Sequence, residues 1–79
     1  MSKEEIFEKV KAIVVEELGI TPEEVTMTTK FEDLGADSLN IVEVIMAFED
    51  EFGTSIPDET AETLTDIEKT VTYILENQQ

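Results

Sequence analysis

Two segments near the ends of the chain carry apolar residues at positions i, i+4, i+7 and i+8. The two sets are Ile6, Val10, Ile13 and Val14, and Ile67, Val71, Ile74 and Leu75. This spacing places the side chains of each set on one face of an α-helix. Because such a face has to be buried against another element, the pattern predicts two amphipathic helices that share a helical core.

Cap residues and glycines predict where the first two main helices begin and end. Ser2 and Glu5 have the spacing of a capping box at the start of the first helix, and Gly19 supplies its C-terminal stop. A second helix begins behind Asp37, which is its predicted N-cap, and stops at Gly53. Both helices therefore have a start signal and a stop signal, and these signals set the bounds of the long connection between them.

This connection, residues 20–36, has no helical face beyond a single turn that Pro22 would start. Connections of this length are uncommon in compact domains and are often functional. Farther along, the segment "SIPDETAETL" predicts a short helix with Pro57 near its start. The chain therefore combines a long first loop with a short extra helix.

We predict that Thr65 caps the last main helix, with Glu68 at the N3 position. Residues 76–79 are predicted to be frayed. Together these elements predict an all-α fold, a small four-helix bundle of three main helices and one short helix with a long first loop. The length of 79 residues fits a single domain over 1–79.

Charge limits the partners that this chain can have. Five lysines and no arginine stand against twenty carboxylates, for a formal net charge of -15. Nucleic-acid backbones and anionic membrane surfaces would be repelled, so partners should present basic patches. The absence of cysteine, of a long apolar run and of a signal segment leads us to expect a cytoplasmic protein without membrane insertion. We also expect a monomer.

Ser38 directly follows the predicted cap of the second helix, and its surroundings argue against chemistry of its own. The chain contains no histidine to activate a serine nucleophile, and Lys30 is the only lysine between residues 12 and 68. We therefore expect no enzyme activity. The acidic stretch around Ser38 fails the ligand spacing of a calcium loop, so no dedicated metal site is expected. At the first helical position, however, an anion attached to Ser38 would be favourable.

The second helix carries more apolar residues than a bundle helix needs. Its apolar residues are Leu39, Ile41, Val42, Val44, Ile45, Met46, Phe48 and Phe52. The excess could be buried against the long loop as ordinary core. It could equally contact a partner surface, or an apolar cargo held between the helices of the bundle.

The stretch "FEDLGADSLNIVEVIMAFEDEFG" closely resembles the acyl carrier proteins of dissociated, bacterial-type fatty acid synthesis. The similarity continues through "SIPDETAE" and, more loosely, over essentially the whole chain. The resemblance implies that Ser38 is modified by a phosphopantetheinyl transferase and carries 4'-phosphopantetheine. The thiol of this group would hold growing acyl chains as thioesters, which would explain why the chain needs neither histidine nor cysteine.

The resemblance also implies a surface for the fatty acid synthesis enzymes. The positions that match partner-binding residues of the family are Asp37, Leu39, Val42, Glu43, Met46, Glu49, Ile56, Ala61 and Glu62. Asn40 and Ile41 depart from the family, where many members have an acidic residue and a threonine, and these changes bear on partner preference.

Two other functions remain open at the level of the sequence. One is a carrier for polyketide, peptide or D-alanyl transfer, which uses the same attachment chemistry. The other, from a different class, is an acidic helical adaptor that binds its partner with Ser38 unmodified. The mass of the protein from its native source would separate a carrier from an adaptor.

Overall fold

The computed structural model, which describes residues 1–78, contains four α-helices and two 3₁₀ helices. The α-helices are α1 (Lys3–Leu18), α2 (Ser38–Phe52), α3 (Asp58–Ala61) and α4 (Ile67–Asn77), and the 3₁₀ helices span Pro22–Glu24 and Phe31–Leu34. Within these described residues there is no β-strand, only an isolated bridge between Lys30 and Asp66. The predicted all-α bundle of three main helices and one short helix is confirmed.

The predicted capping box at the start of α1 is present. Ser2 Oγ accepts a hydrogen bond from the N–H of Glu5, at 3.2 Å, and Glu5 Oε1 accepts one from the N–H of Ser2, at 3.1 Å. This bond from the Ser2 backbone holds the pKa of the Glu5 carboxyl below its ordinary value, because it stabilises the charged form. At the other end Gly19 has a φ of 65° and donates to the carbonyl of Val15, as expected for a glycine C-cap.

The predicted start of α4 is wrong by one residue. Asp66, not Thr65, is the N-cap, and its Oδ1 accepts the N–H of Lys69 at 2.7 Å. The carbonyl of Thr65 is already used, because it accepts the N–H of Phe31 from the first loop. Backbone pairing between the two segments thus takes the carbonyl that an N-cap at Thr65 would offer to the first turn of α4.

The first loop continues this pairing along the start of α4. Ile67 donates its N–H to the carbonyl of Thr29, and Glu68 donates to the carbonyl of Met27. The predicted frayed tail is helical through Asn77, whose side chain donates to the carbonyl of Tyr73. Residue 79 of that predicted tail lies outside the described residues.

The core lies where α1 packs against α2 and α4. Its buried apolar residues are Ile6, Val10, Val14, Val25, Phe31, Val44, Ile45, Phe48, Ile56, Leu64, Ile67, Val71 and Ile74. Four of them come from the connections rather than the main helices, and Phe31 begins the second 3₁₀ helix. The long loop is therefore anchored to the core, which fixes the backbone that leads into α2.

The acidic surface is almost without ion pairs. Within residues 1–78, the single ion pair joins Lys9 Nζ to Glu51 Oε2 at 3.2 Å, and both side chains are partly exposed. In the same part of the chain, no helix has the combination of length and apolar character that crossing a bilayer requires. No three metal-ligating side chains of residues 1–78 form a cluster that could hold an ion.

Candidate functional site

Ser38 is the first residue of α2, as predicted, and a reciprocal pair of hydrogen bonds holds the turn that leads into it. Asp37 is the N-cap, and its Oδ1 accepts the N–H of Asn40 at 2.9 Å. Asn40 in turn accepts the N–H of Asp37 through Oδ1, at 3.2 Å. Asn40 thus fills the N3 position of a capping box. Asn40 therefore has a structural role at the start of α2.

The segment before Asp37 fixes the direction in which the chain enters α2. The 3₁₀ helix Phe31–Leu34 is held by the buried ring of Phe31. Gly35 ends it with a φ of 76° and donates its N–H to the carbonyl of Glu32 at 3.2 Å. A side chain at Gly35 would meet no neighbouring atom, but the left-handed backbone favours glycine. The glycine of the "LGADSL" stretch thus serves the turn that presents Ser38.

An open groove of about 550 Å³ lies beside Ser38, between the start of α2 and α3. It is lined by Ala36, Asp37, Ser38, Ile41, Val42, Asp58, Ala61 and Glu62. A second open cavity of about 480 Å³ shares Ala36, Ile41 and Glu62 with it and extends to Phe31 and Leu64. The two cavities are therefore neighbours, and both have partly apolar linings.

Ser38 is exposed and has no activating group beside it. Its neighbours in the groove offer carboxylates and apolar groups, and no lysine. The first N–H groups of a helix lack intrahelical acceptors and carry a partial positive charge. The site can therefore accommodate an anion on the serine oxygen.

The predicted apolar partner-binding residues of α2 are unusually exposed. Leu39, Val42 and Met46 have relative exposures of 67%, 52% and 58%. Their spacing places them on one side of the helix that begins at Ser38. The opposite side of α2 supplies the core through its buried residues. The excess of apolar residues in α2 is therefore not ordinary core packing alone.

The other predicted partner residues divide into two groups. Asp37, Ala61 and Glu62 line the groove beside Ser38, and Glu43 is exposed on α2. Glu49 is half-buried, however, and its Oε2 accepts the backbone N–H of Ile56 at 2.8 Å. Ile56 is only 4% exposed, and its side chain belongs to the core. Partner contact by all of these residues stays a prediction.

Several residues that line the two cavities were not predicted as site residues, among them Asp58, Lys30 and Lys69. Asp58, the first residue of α3, faces the groove of Ser38. The proline before it marked a helix start, which was the available signal. Lys30 and Lys69 line the adjoining cavity, and no spacing in the sequence brings these two together.

Comparison with known families identifies this arrangement. A family model described as a phosphopantetheine attachment site matches residues 8–74. The chain belongs to this family, which confirms the resemblance to acyl carrier proteins. It is a carrier protein, and its cofactor is covalently bound 4'-phosphopantetheine.

Proposed function

We propose that Ser38 is the attachment residue and that the protein carries growing acyl chains in fatty acid biosynthesis. One observation carries the first part of this proposal. Ser38 is exposed at the first position of α2 and opens onto a groove of about 550 Å³ with apolar side chains in its wall. The phosphodiester of an attached 4'-phosphopantetheine would lie at the positive end of α2, and the rest of this group, its arm, would have room along the groove.

The other two serines of the chain fit the group less well. Ser2 lies outside the family match, and its hydroxyl oxygen caps α1 by accepting the N–H of Glu5. Ser55 lies in the loop between α2 and α3 and is absent from the lining of either cavity. Ser38 alone combines exposure, a helix N-terminus and a groove.

The chemistry is divided between this chain and its partners. A phosphopantetheinyl transferase would take the proton of the Ser38 hydroxyl and transfer the group from coenzyme A to the serine oxygen; the pyrophosphate bond of coenzyme A would break, and adenosine 3',5'-bisphosphate would leave. Once attached, the group supplies the thiol that holds acyl chains as thioesters. The chain's own residues would support the phosphodiester at the start of α2 and line the path of the arm through Ile41, Val42 and Ala61.

Charge and exposed apolar surface support docking to synthesis enzymes that present basic patches. The net charge is -15, and Glu43 and Glu62 are exposed near the exposed apolar side of α2. Each exposed ion pair contributes only about 0.2–1 kcal/mol, so several weak pairs would give modest affinity and rapid exchange. Such binding suits a carrier that visits one enzyme after another.

Intact mass spectrometry tests the attachment residue. The wild-type protein, Ser38→Ala and Ser55→Ala are incubated with coenzyme A and a phosphopantetheinyl transferase. The wild type and Ser55→Ala should each gain one adduct, and Ser38→Ala should gain none while its circular dichroism stays helical. An adduct on folded Ser38→Ala would contradict the proposal.

The cargo requires a separate measurement. Protein isolated from its native source is digested, and the acyl groups on the peptide that contains Ser38 are identified by mass. Saturated chains that differ by two carbons would support fatty acid synthesis. Aminoacyl or branched polyketide groups would assign the carrier to another pathway and leave the attachment residue intact.

A further inference from the structure

Two side chains from different helices form hydrogen bonds with the backbone of the loop between α2 and α3. Glu49 of α2 accepts the backbone N–H of Ile56 through Oε2, at 2.8 Å. Tyr73 of α4 donates its hydroxyl to the backbone carbonyl of Ser55, at 3.0 Å. The Ile56 side chain is itself buried, with 4% exposure. The backbones of Ser55 and Ile56 are thus held by hydrogen bonds to side chains of α4 and α2.

The bond from Ile56 has an energetic reason to persist. Its N–H lies in a part-buried position, where a donor without an acceptor is costly. A carboxylate acceptor gives a stronger hydrogen bond than a neutral one. Glu49 therefore fixes the backbone just before α3.

The position of α3 depends on these hydrogen bonds to the preceding loop because the helix is short. It comprises only Asp58–Ala61 and contains no buried residue. The residues that anchor it lie outside it, at Ile56 on one side and Leu64, 5% exposed, on the other. Through Asp58 and Ala61, α3 forms one wall of the groove beside Ser38. A displacement of the Ile56 backbone would therefore move α3 and, with it, that wall of the groove.

Glu43 and Glu49 differ in how far their charges are available to a partner. Glu43 is exposed, and within residues 1–78 no hydrogen bond or ion pair to its carboxylate is observed. Glu49 is half-buried and has one oxygen engaged by the protein itself. At a rise of about 1.5 Å per residue, Glu49 lies about 16.5 Å along the helix axis from Ser38, and Glu43 about 7.5 Å.

We propose that Glu49 is a positioning residue, whose carboxylate holds Ile56 and thereby the α3 wall of the groove, and that it is not a docking acid. This assignment rests on the proposed carrier function. It separates two glutamates that the sequence alone places in one partner-binding set.

Variants that separate hydrogen bonding from charge test the proposal. Glu49→Gln keeps an acceptor oxygen but loses the charge, whereas Glu49→Ala loses both, and Glu43→Gln is the matched control. The first readout is hydrogen–deuterium exchange of the Ile56 amide, measured by NMR on protein without the arm. The second is the KM of each variant for a phosphopantetheinyl transferase at low and high salt.

Glu49→Ala should speed exchange at Ile56 by about tenfold or more, with the amides of Val10 and Val71 as reporters of global unfolding. Glu49→Gln should stay within about threefold of the wild type at Ile56 and keep the salt dependence of KM. Glu43→Gln should leave exchange at Ile56 unchanged but raise KM at low salt and flatten its salt dependence.

Two results would overturn the proposal. In one, Glu49→Ala leaves exchange at Ile56 unchanged. In the other, Glu49→Gln raises the low-salt KM as much as Glu43→Gln does. Failure of the carrier function is distinguishable, because a wild-type protein that takes no arm would refute that function, whereas the exchange measurements would stand by themselves.

Discussion

Acyl chains of increasing length on Ser38 should stabilise the fold progressively. The groove beside Ser38 and the adjoining cavity have volumes of about 550 and 480 Å³ and share Ala36, Ile41 and Glu62. The apolar part of their lining can cover an alkyl chain and so remove part of its surface from water. Both cavities are open, so each methylene should be covered only in part.

The magnitude follows from the number of methylenes and the openness of the groove. A fully buried methylene contributes about 0.8 kcal/mol, and one covered on a single side about half of that. A six-carbon chain has four more methylenes than a two-carbon chain, which gives about 1.5 kcal/mol. In a domain of this size 1 kcal/mol changes the melting temperature by about 4–8 °C. The difference between the two forms should therefore be about 6–12 °C.

Thermal unfolding by circular dichroism measures this difference directly. The series comprises the unacylated arm and the two-, four-, six- and eight-carbon forms. Ala61→Leu, which narrows the groove, should reduce the gain from the longer chains. Ala47→Leu is the matched control, because Ala47 lines a cavity between α1 and α2 away from Ser38. Equal melting temperatures for the two- and six-carbon forms would refute the reasoning, as would equal effects of both alanine substitutions.

Three further predictions concern caps and charge. Asp37→Ala removes the acceptor of the Asn40 N–H and should cost about 1 kcal/mol, whereas Asp37→Asn should keep the cap; equal losses in thermal unfolding would contradict the assigned bond. The lowered pKa of Glu5 stabilises the fold above the ordinary glutamate value of about 4.3, and this contribution is lost as the pH falls through the folded-state pKa. The melting temperature of wild type should therefore exceed that of Glu5→Gln at pH 6, and the gap should close as the pH falls below the folded-state pKa of Glu5; a gap that does not change with pH would refute this. Because a single ion pair offsets the acidic surface of residues 1–78, added salt and Asp50→Asn should each raise the melting temperature, and a fall in either case would count against self-repulsion.

Local signals in the sequence were sufficient for most of the helix ends. The capping box at Ser2 and the glycines that follow α1 and α2 were each confirmed as cap residues. These features depend on residues within one turn, so spacing reveals them. The start of α4 at Asp66 depends on backbone pairing with the first loop. Pairing between segments that are distant in sequence has no local signal, and this explains the error of one residue.

The same distinction holds at the candidate site. The position of Ser38 at the start of α2 was predictable because Asp37 precedes it as a cap. The bonds from Glu49 to Ile56 and from Tyr73 to Ser55 span separate elements. Only the structure shows that Glu49, one of the two α2 glutamates in the predicted partner-binding set, accepts a hydrogen bond from the protein's own backbone.

The helix that begins at Ser38 has two apolar sides with separate energetic roles. Val44 and Phe48 are fully buried and stabilise the bundle, whereas Leu39, Val42 and Met46 remain more than half exposed. Stabilisation by the hydrophobic effect scales with the apolar area removed from water, so most of the area of the exposed three contributes nothing to the fold of the free protein. That area contributes hydrophobic free energy only when a partner or a cargo covers it. Under the proposed function, docking would therefore draw on surface that folding leaves unused, and a carrier could bind and leave each enzyme without any change in its own core.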